Sequence, residues 1–141
     1  MRERRIVLAL DGELSAVPAR FEPNVWGSEL RPIVDLSVGR FYAAVNPILA
    51  TDLQGTLAGH PRLEPAAKLA IKLDDASSLG IEGYGAFGPI DDLGAERVTR
   101  LLGVLDFTGD RFDVDFGTGW QWGTPDHVVA KIIIVGVHPG K

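Results

Sequence analysis

The 141-residue chain contains no cysteine. That excludes a disulfide framework, a thiolate metal site and a cysteine nucleophile, and it leaves the redox compartment open. Long apolar runs are also missing: nothing approaches the roughly 20 residues that a membrane helix requires. Ile6 to Leu10 follows a charged start but is only a strand's worth of sequence, too short for the core of a signal peptide. The expectation is a cytoplasmic protein with no membrane partner. Basic charge is scarce, with 14 Lys and Arg against 19 Asp and Glu and a net charge of −5. A phosphate-backbone binder needs a basic footprint, so no nucleic-acid partner is expected. The one basic run, Arg2, Arg4 and Arg5, is broken by Glu3 and reads as a solvated terminus. Histidine is sparse as well: His60, His127 and His138 show no His-x-His or His-x3-His spacing, so no metal site is expected. No serine sits in a Gly-x-Ser-x-Gly elbow and no Walker-type phosphate loop is present, which leaves no cofactor to assign.

Glycine and proline, by contrast, are plentiful, at 17 and 9 residues. They are scattered as turn punctuation rather than gathered into a linker. With 45% hydrophobic residues, no internal repeat and no boundary, residues 1–141 read as a single domain.

Short strands dominate the pattern. Arg5–Leu10 is a first strand, Asp11-Gly12 is a hairpin turn signal, and Leu14–Val17 returns from it. Pro18–Pro23 is loop or edge. Two apolar segments lie within Leu30–Val45, with Gly39 a bulge or bend between them and Asn46-Pro47 starting a turn. Leu53–Leu57 is a further strand. In Ala67–Leu73 the residues Ala67, Leu69, Ile71 and Leu73 point one way, and Lys68 and Lys72 the other. That alternation predicts one wet face and one buried face. Asp74–Ser78 turns the chain and Leu79–Ala86 pairs back. Val98, Leu101, Leu102 and Leu105 then fall at helical spacing, which predicts one short helix over 93–102. Asp91 or Asp92 would cap it, Glu96 and Arg100 would pair on it, and Gly103 would end it. Gly109-Asp110 turns Val104–Phe107 into Arg111–Phe116. Val128–Val137, apolar at nearly every position, reads as a strand buried on both faces. The fold expected is all-β: a closed, single-domain antiparallel β-barrel with one short helix, of the size that holds one small ligand.

The segments WGSELRPIVDLSVGRF, LQGTLAG, AKLAIKLDDASSLGIEGYG, DFGTG and IIIVGV resemble those of the UPF0311 family of small calycin-like barrels. The likeness covers Trp26 to Val137. Ala76 stands where that family usually has Gly, and its Tyr/Phe-x-Trp-Leu-Asn stretch is absent. The resemblance implies a calycin- or lipocalin-like antiparallel barrel, often oligomeric, and assigns no chemistry.

Candidate site residues follow from shared strand faces. Glu82 and Tyr84 share one, Asp113 and Asp115 another, and Arg40 and Tyr42 a third. If the polar faces line the lumen, Glu82 and Tyr84 could move a proton there and Arg40 could hold an anionic group, all three as catalytic residues. If the apolar faces line it, as is usual for a water-soluble barrel, these are solvated outer positions. Trp120 and Trp122, two apart, could wall a flat ligand together with Tyr42, Asp113 and His127, or could be core or interface anchors. Gly83–Gly88 matches Gly-x-Gly-x-x-Gly, but with Pro89 and Ile90 following and no βαβ unit it reads as a glycine-rich strand end. The function expected is a small-molecule cavity protein. The first reading is a cofactor-independent isomerase or cyclase acting on a small apolar or aromatic metabolite. The alternatives are a lipocalin-like binder, or a subunit that assembles through its last strand into a homo-oligomer.

Overall fold

A computed structural model of the chain describes residues 4–16, 26–55, 58–94 and 97–136. Among the described residues eight strands follow one another: β1 Arg4–Ala16, β2 Trp26–Val38, β3 Phe41–Asp52, β4 Arg62–Lys72, β5 Ser77–Ala86, β6 Val98–Thr108, β7 Phe112–Trp122 and β8 Val128–Gly136. Each pairs antiparallel with the next in sequence order. The sheet curls into a half-barrel and does not close. Among the described residues the helical content is one 3-10 turn, Ile90–Asp92.

Several expectations are corrected here. The barrel is open, and residues 98–102 of the expected helix are strand. Val98, Leu101, Leu102 and Leu105 all lie in β6, which is apolar on both faces: Leu102 and Val104 are buried on one side while Leu101 is exposed on the other. A strand of that kind produces helical spacing by accident. No side chain caps the turn at Asp91 and Asp92. Asp11-Gly12 does not turn; β1 runs through it. Where a bulge or bend is expected at Gly39, the chain takes a tight turn, with Gly39 at φ 59°. Leu53 to Gly55 bend instead of forming a strand. Pro18–Pro23, Glu96 and His138 lie outside the described residues.

Asn46-Pro47 also stays within a strand. Pro47 faces Pro65 across β3–β4. On its other side the β2–β3 register is interrupted between Leu30↔Leu49 and Val34↔Val45, the interval that holds Pro32 and Pro47. Proline has no N–H to give a ladder, so the ladder breaks there and resumes beyond.

The connections differ at the two ends. At one end they are the short 39–40, 73–76 and 109–111; at the other they are the longer 17–25, 53–61, 87–97 and 123–127. In the 73–76 turn, Asp74 accepts a hydrogen bond from the Ala76 amide at 2.8 Å. That bond holds the Asp74 carboxyl below the usual carboxylate range.

The alternation read from Ala67–Leu73 is present, but with the faces exchanged. Leu69 is 56% exposed, whereas the Lys68 side chain is 22% exposed. The same holds across the sheet. Ile6, Leu8, Leu10, Val34, Ile81, Phe116 and Ile132 are all exposed on the convex side. The concave side holds the buried residues Ala44, Ala70, Leu102, Val104 and Glu82.

Close approach between β6 and β7 is conditional on glycine. A Cβ at Gly119 would stand 1.9 Å from the Leu101 carbonyl oxygen, while one at Gly12 would meet nothing within 4 Å. Gly119→Ala is expected to lower stability by about 2 kcal/mol or more, as overpacking does. Gly12→Ala is expected to leave it unchanged or slightly raised. Urea-unfolding midpoints of the two variants check this.

Candidate functional site

The centre of the concave face is an ionic ladder. Lys68 of β4 lies directly across from Glu82 of β5, and its Nζ is 3.0 Å from Glu82 Oε1 and 2.8 Å from Asp106 Oδ1. Asp106 of β6 also accepts a hydrogen bond from Ser78 Oγ at 2.8 Å. On the other side Lys131 of β8 reaches across two strands to Glu82 Oε2 and contacts Asp115 Oδ2 at 2.8 Å. The Tyr84 hydroxyl donates to Glu82 Oε2 at 2.5 Å, and Lys131 Nζ lies 3.2 Å from that hydroxyl. Glu82 is 5% exposed.

The backbone makes this reach feasible. Lys131 is paired with Gly117, and a Cβ at Gly117 would stand 3.2 Å from Lys131 Cγ and Cε and 3.0 Å from Val104 Cγ1. Glycine thus leaves a channel along which the lysine stem lies. Gly119, beside Leu102, keeps the next position equally bare.

Glu82, Asp106 and Asp115 have carboxylate oxygens within 4.8 Å of one another. Two lysine ammoniums stand where a cation would sit, so the donor set is already neutralised in large part. Beside the ladder is a trough of about 300 Å³ whose polar lining is Arg31, Tyr42, Asn46, Lys68, Glu82 and Tyr84. Asp35 Oδ1, Asn46 Oδ1, Asp113 Oδ1 and Asp115 Oδ1 are buried without a protein hydrogen-bond partner. Buried acceptors of this kind call for water or solute.

The residues singled out in the sequence are not all brought together. Glu82 and Tyr84 touch, and Tyr42 lines the same trough. Asp113 is on the concave side near the short-turn end. Arg40 is in the β2–β3 turn, where its guanidinium donates to the carbonyls of Lys72 at 2.9 Å and Leu73 at 2.7 Å, away from Glu82. Trp120 and Trp122 are on the convex face, 44% and 49% exposed. His127 stacks on Trp120, with ring centroids 5.2 Å apart, and its Nδ1 is 3.1 Å from the Gln121 carbonyl oxygen. His60 is an exposed neighbour of Asp91 at 3.2 Å.

Sequence reading missed both lysines. Lys131 carried a signal: it is the one charge inside VVAKIIIVG, and a charge in such a run needs a partner when buried. The alternation of Ala67–Leu73 puts Lys68 on a wet face, which hides its place in the ladder.

Breaking a buried ion pair leaves an uncompensated charge, whereas an exposed pair contributes less than about 1 kcal/mol. A double-mutant cycle on Glu82→Gln and Lys131→Met is expected to give a coupling of roughly 1–3 kcal/mol by thermal or urea unfolding. A coupling within error of zero would reduce the ladder to a surface ion pair.

No protein-family model, curated protein or solved structure matches the chain.

Proposed function

We propose that this sheet is the wall of a transmembrane β-barrel, with its convex face against lipid and its concave ionic face lining the lumen. The observation that carries the reading is the inverted polarity of the sheet. Apolar side chains cover the convex side while the charged groups are gathered on the concave side. A water-soluble barrel has the opposite arrangement. The chain exposes 10091 Å², against roughly 7,100 Å² for a compact monomer of its 15.2 kDa mass.

Further features support it. Strands of 9 to 13 residues bracket the 9–11 or so that a tilted membrane strand needs. An 11-residue strand such as β7, tilted by about 40°, spans roughly 28 Å, close to the apolar band of such barrels. Aromatic residues mark both margins of the convex face: Trp26, Trp120 and Trp122 at the long-loop end, Phe41, Phe107 and Phe112 at the short-turn end. The strand number is even, the topology is up-and-down, and short turns oppose longer loops.

No described helix is long and apolar enough to cross a membrane. The expectation of no membrane partner rested on that kind of signal alone. Strands cross by alternation and need no continuous apolar run. An isomerase or cyclase reading would require Glu82 to release two ammoniums before it could take a proton. Held as it is, the group suits a fixed charge in a polar lumen better than a mobile base. The trough beside it can still take a small polar solute.

Tryptophan fluorescence in liposomes tests the reading. With brominated lipids, quenching is expected to be strongest when bromine sits near the headgroups and weaker at the chain ends, because all three tryptophans lie at one margin. A protein that stays in the aqueous phase as a defined dimer, unquenched by any brominated lipid, would instead mean that two convex faces pack on each other.

A further inference from the structure

We propose that a second copy of this chain completes the barrel, β8 of each copy pairing with β1 of the other to give a two-fold, 16-stranded ring. The inference rests on the membrane-barrel reading and deepens it by naming what closes the wall.

The sheet has two open edges. Among the described residues β1 and β8 each have one neighbour, and they do not pair with each other. In hydrocarbon an unpaired N–H or C=O costs several kcal/mol, so open edges are not tolerated there. β1 carries Arg4, Arg5, Asp11 and Glu13, but β8 has little of the usual protection. β8, VVAKIIIVG, has no proline and one charge, and that charge is turned inward onto Glu82 and Asp115. A long apolar edge with so little protection is one that pairs.

The two edges suit each other in three respects. Arg4 of β1 and Gly136 of β8 both lie at the short-turn end, so β1 and β8 run in opposite directions. Joining β8 to a partner's β1 therefore continues the antiparallel meander. Their polarity agrees as well, since Ile6, Leu8 and Leu10 of β1 and Val128, Ile132 and Ile134 of β8 all occupy the convex face and would join one apolar band. Finally, the sheet curls through about half a barrel. A head-to-tail contact makes a closed ring only when its rotation divides the circle, and a half-turn closes after two copies. The product keeps both sets of short turns at one end and places two ionic ladders in one lumen.

Native mass spectrometry of the unaltered protein released from detergent micelles tests closure. A mass twice that of the chain is expected; a monomer overturns the proposal. The edge contact is tested by four double variants, in which Leu8→Cys or Leu10→Cys is combined with Ala130→Cys or Ile132→Cys. The chain has no native cysteine to interfere. After oxidation, at least one variant is expected to run as a covalent dimer. Intramolecular disulfides would mean that one copy closes on itself. No disulfide in any of the four would mean that the edges meet strands other than each other. Quenching of the unaltered protein by brominated lipid would persist in both of those cases, so a failure of closure is distinguishable from a failure of the membrane reading.

Discussion

One carboxylate ties together strands that the backbone does not. In an up-and-down meander every ladder of hydrogen bonds joins neighbours in sequence, and such a sheet could lie nearly flat. Glu82 on β5 binds Lys68 from β4 and Lys131 from β8, while Lys68 also holds Asp106 on β6 and Lys131 also holds Asp115 on β7. Five of the eight strands thus meet in one network. A lysine stem can bridge from β8 to β5 only if the intervening strands curve toward it and carry no bulk beneath it. Gly117 and Gly119 supply the bare positions, and Leu102 and Val104 are buried beside them. Curvature, glycine placement and charge pairing therefore depend on one another.

That dependence explains the unusual distribution of apolar residues. Four hydrophobic residues are buried among those described: Ala44, Ala70, Leu102 and Val104. They form a narrow seam under the ladder rather than a core between two layers. Burial of apolar area, the main driving force for a water-soluble fold, is here largely unspent within the chain. The convex face holds it in reserve for whatever lies against it.

Most strands were legible in the sequence, and so was the alternation of Ala67–Leu73, because a period of two survives any environment; the start of β6, the run of β1 through Asp11-Gly12 and the bend at Leu53 were not. Which face is inside was not legible. Alternation separates two sets of side chains, and only the solvent decides which set points inward. Assigning Lys68 to the wet side was correct about polarity and wrong about place, since its ammonium lies against Glu82 and Asp106. β6 misled for a related reason: a strand apolar on both faces contains every spacing, the helical one included. The prolines misled in the opposite direction. Pro32 and Pro47 share the same gap in the β2–β3 ladder, so both are accommodated within long strands by one interruption. Of the site, Glu82 with Tyr84 could be read from their shared strand face. The lysines that determine the state of Glu82 come from strands before and after it, and no local pattern joins them. Trp120 and Trp122 do share a face, and it is the convex one.

The remaining constraint is the backbone at the two edges. A charged group at the margin of a sheet can turn toward water or reach a nearby carbonyl, as Arg40 does with Lys72 and Leu73, and an apolar side chain exposed to water costs only its own area. An unpaired N–H or C=O has no such latitude once water is gone. β8 is apolar on both faces, with Ile133 and Val135 exposed on the concave side as well as Ile132 and Ile134 on the convex. It is therefore the strand least suited to an aqueous edge and best suited to the middle of a continuous wall. Its sequence makes sense as an interior strand of a larger sheet, which is the place the proposed pairing would give it.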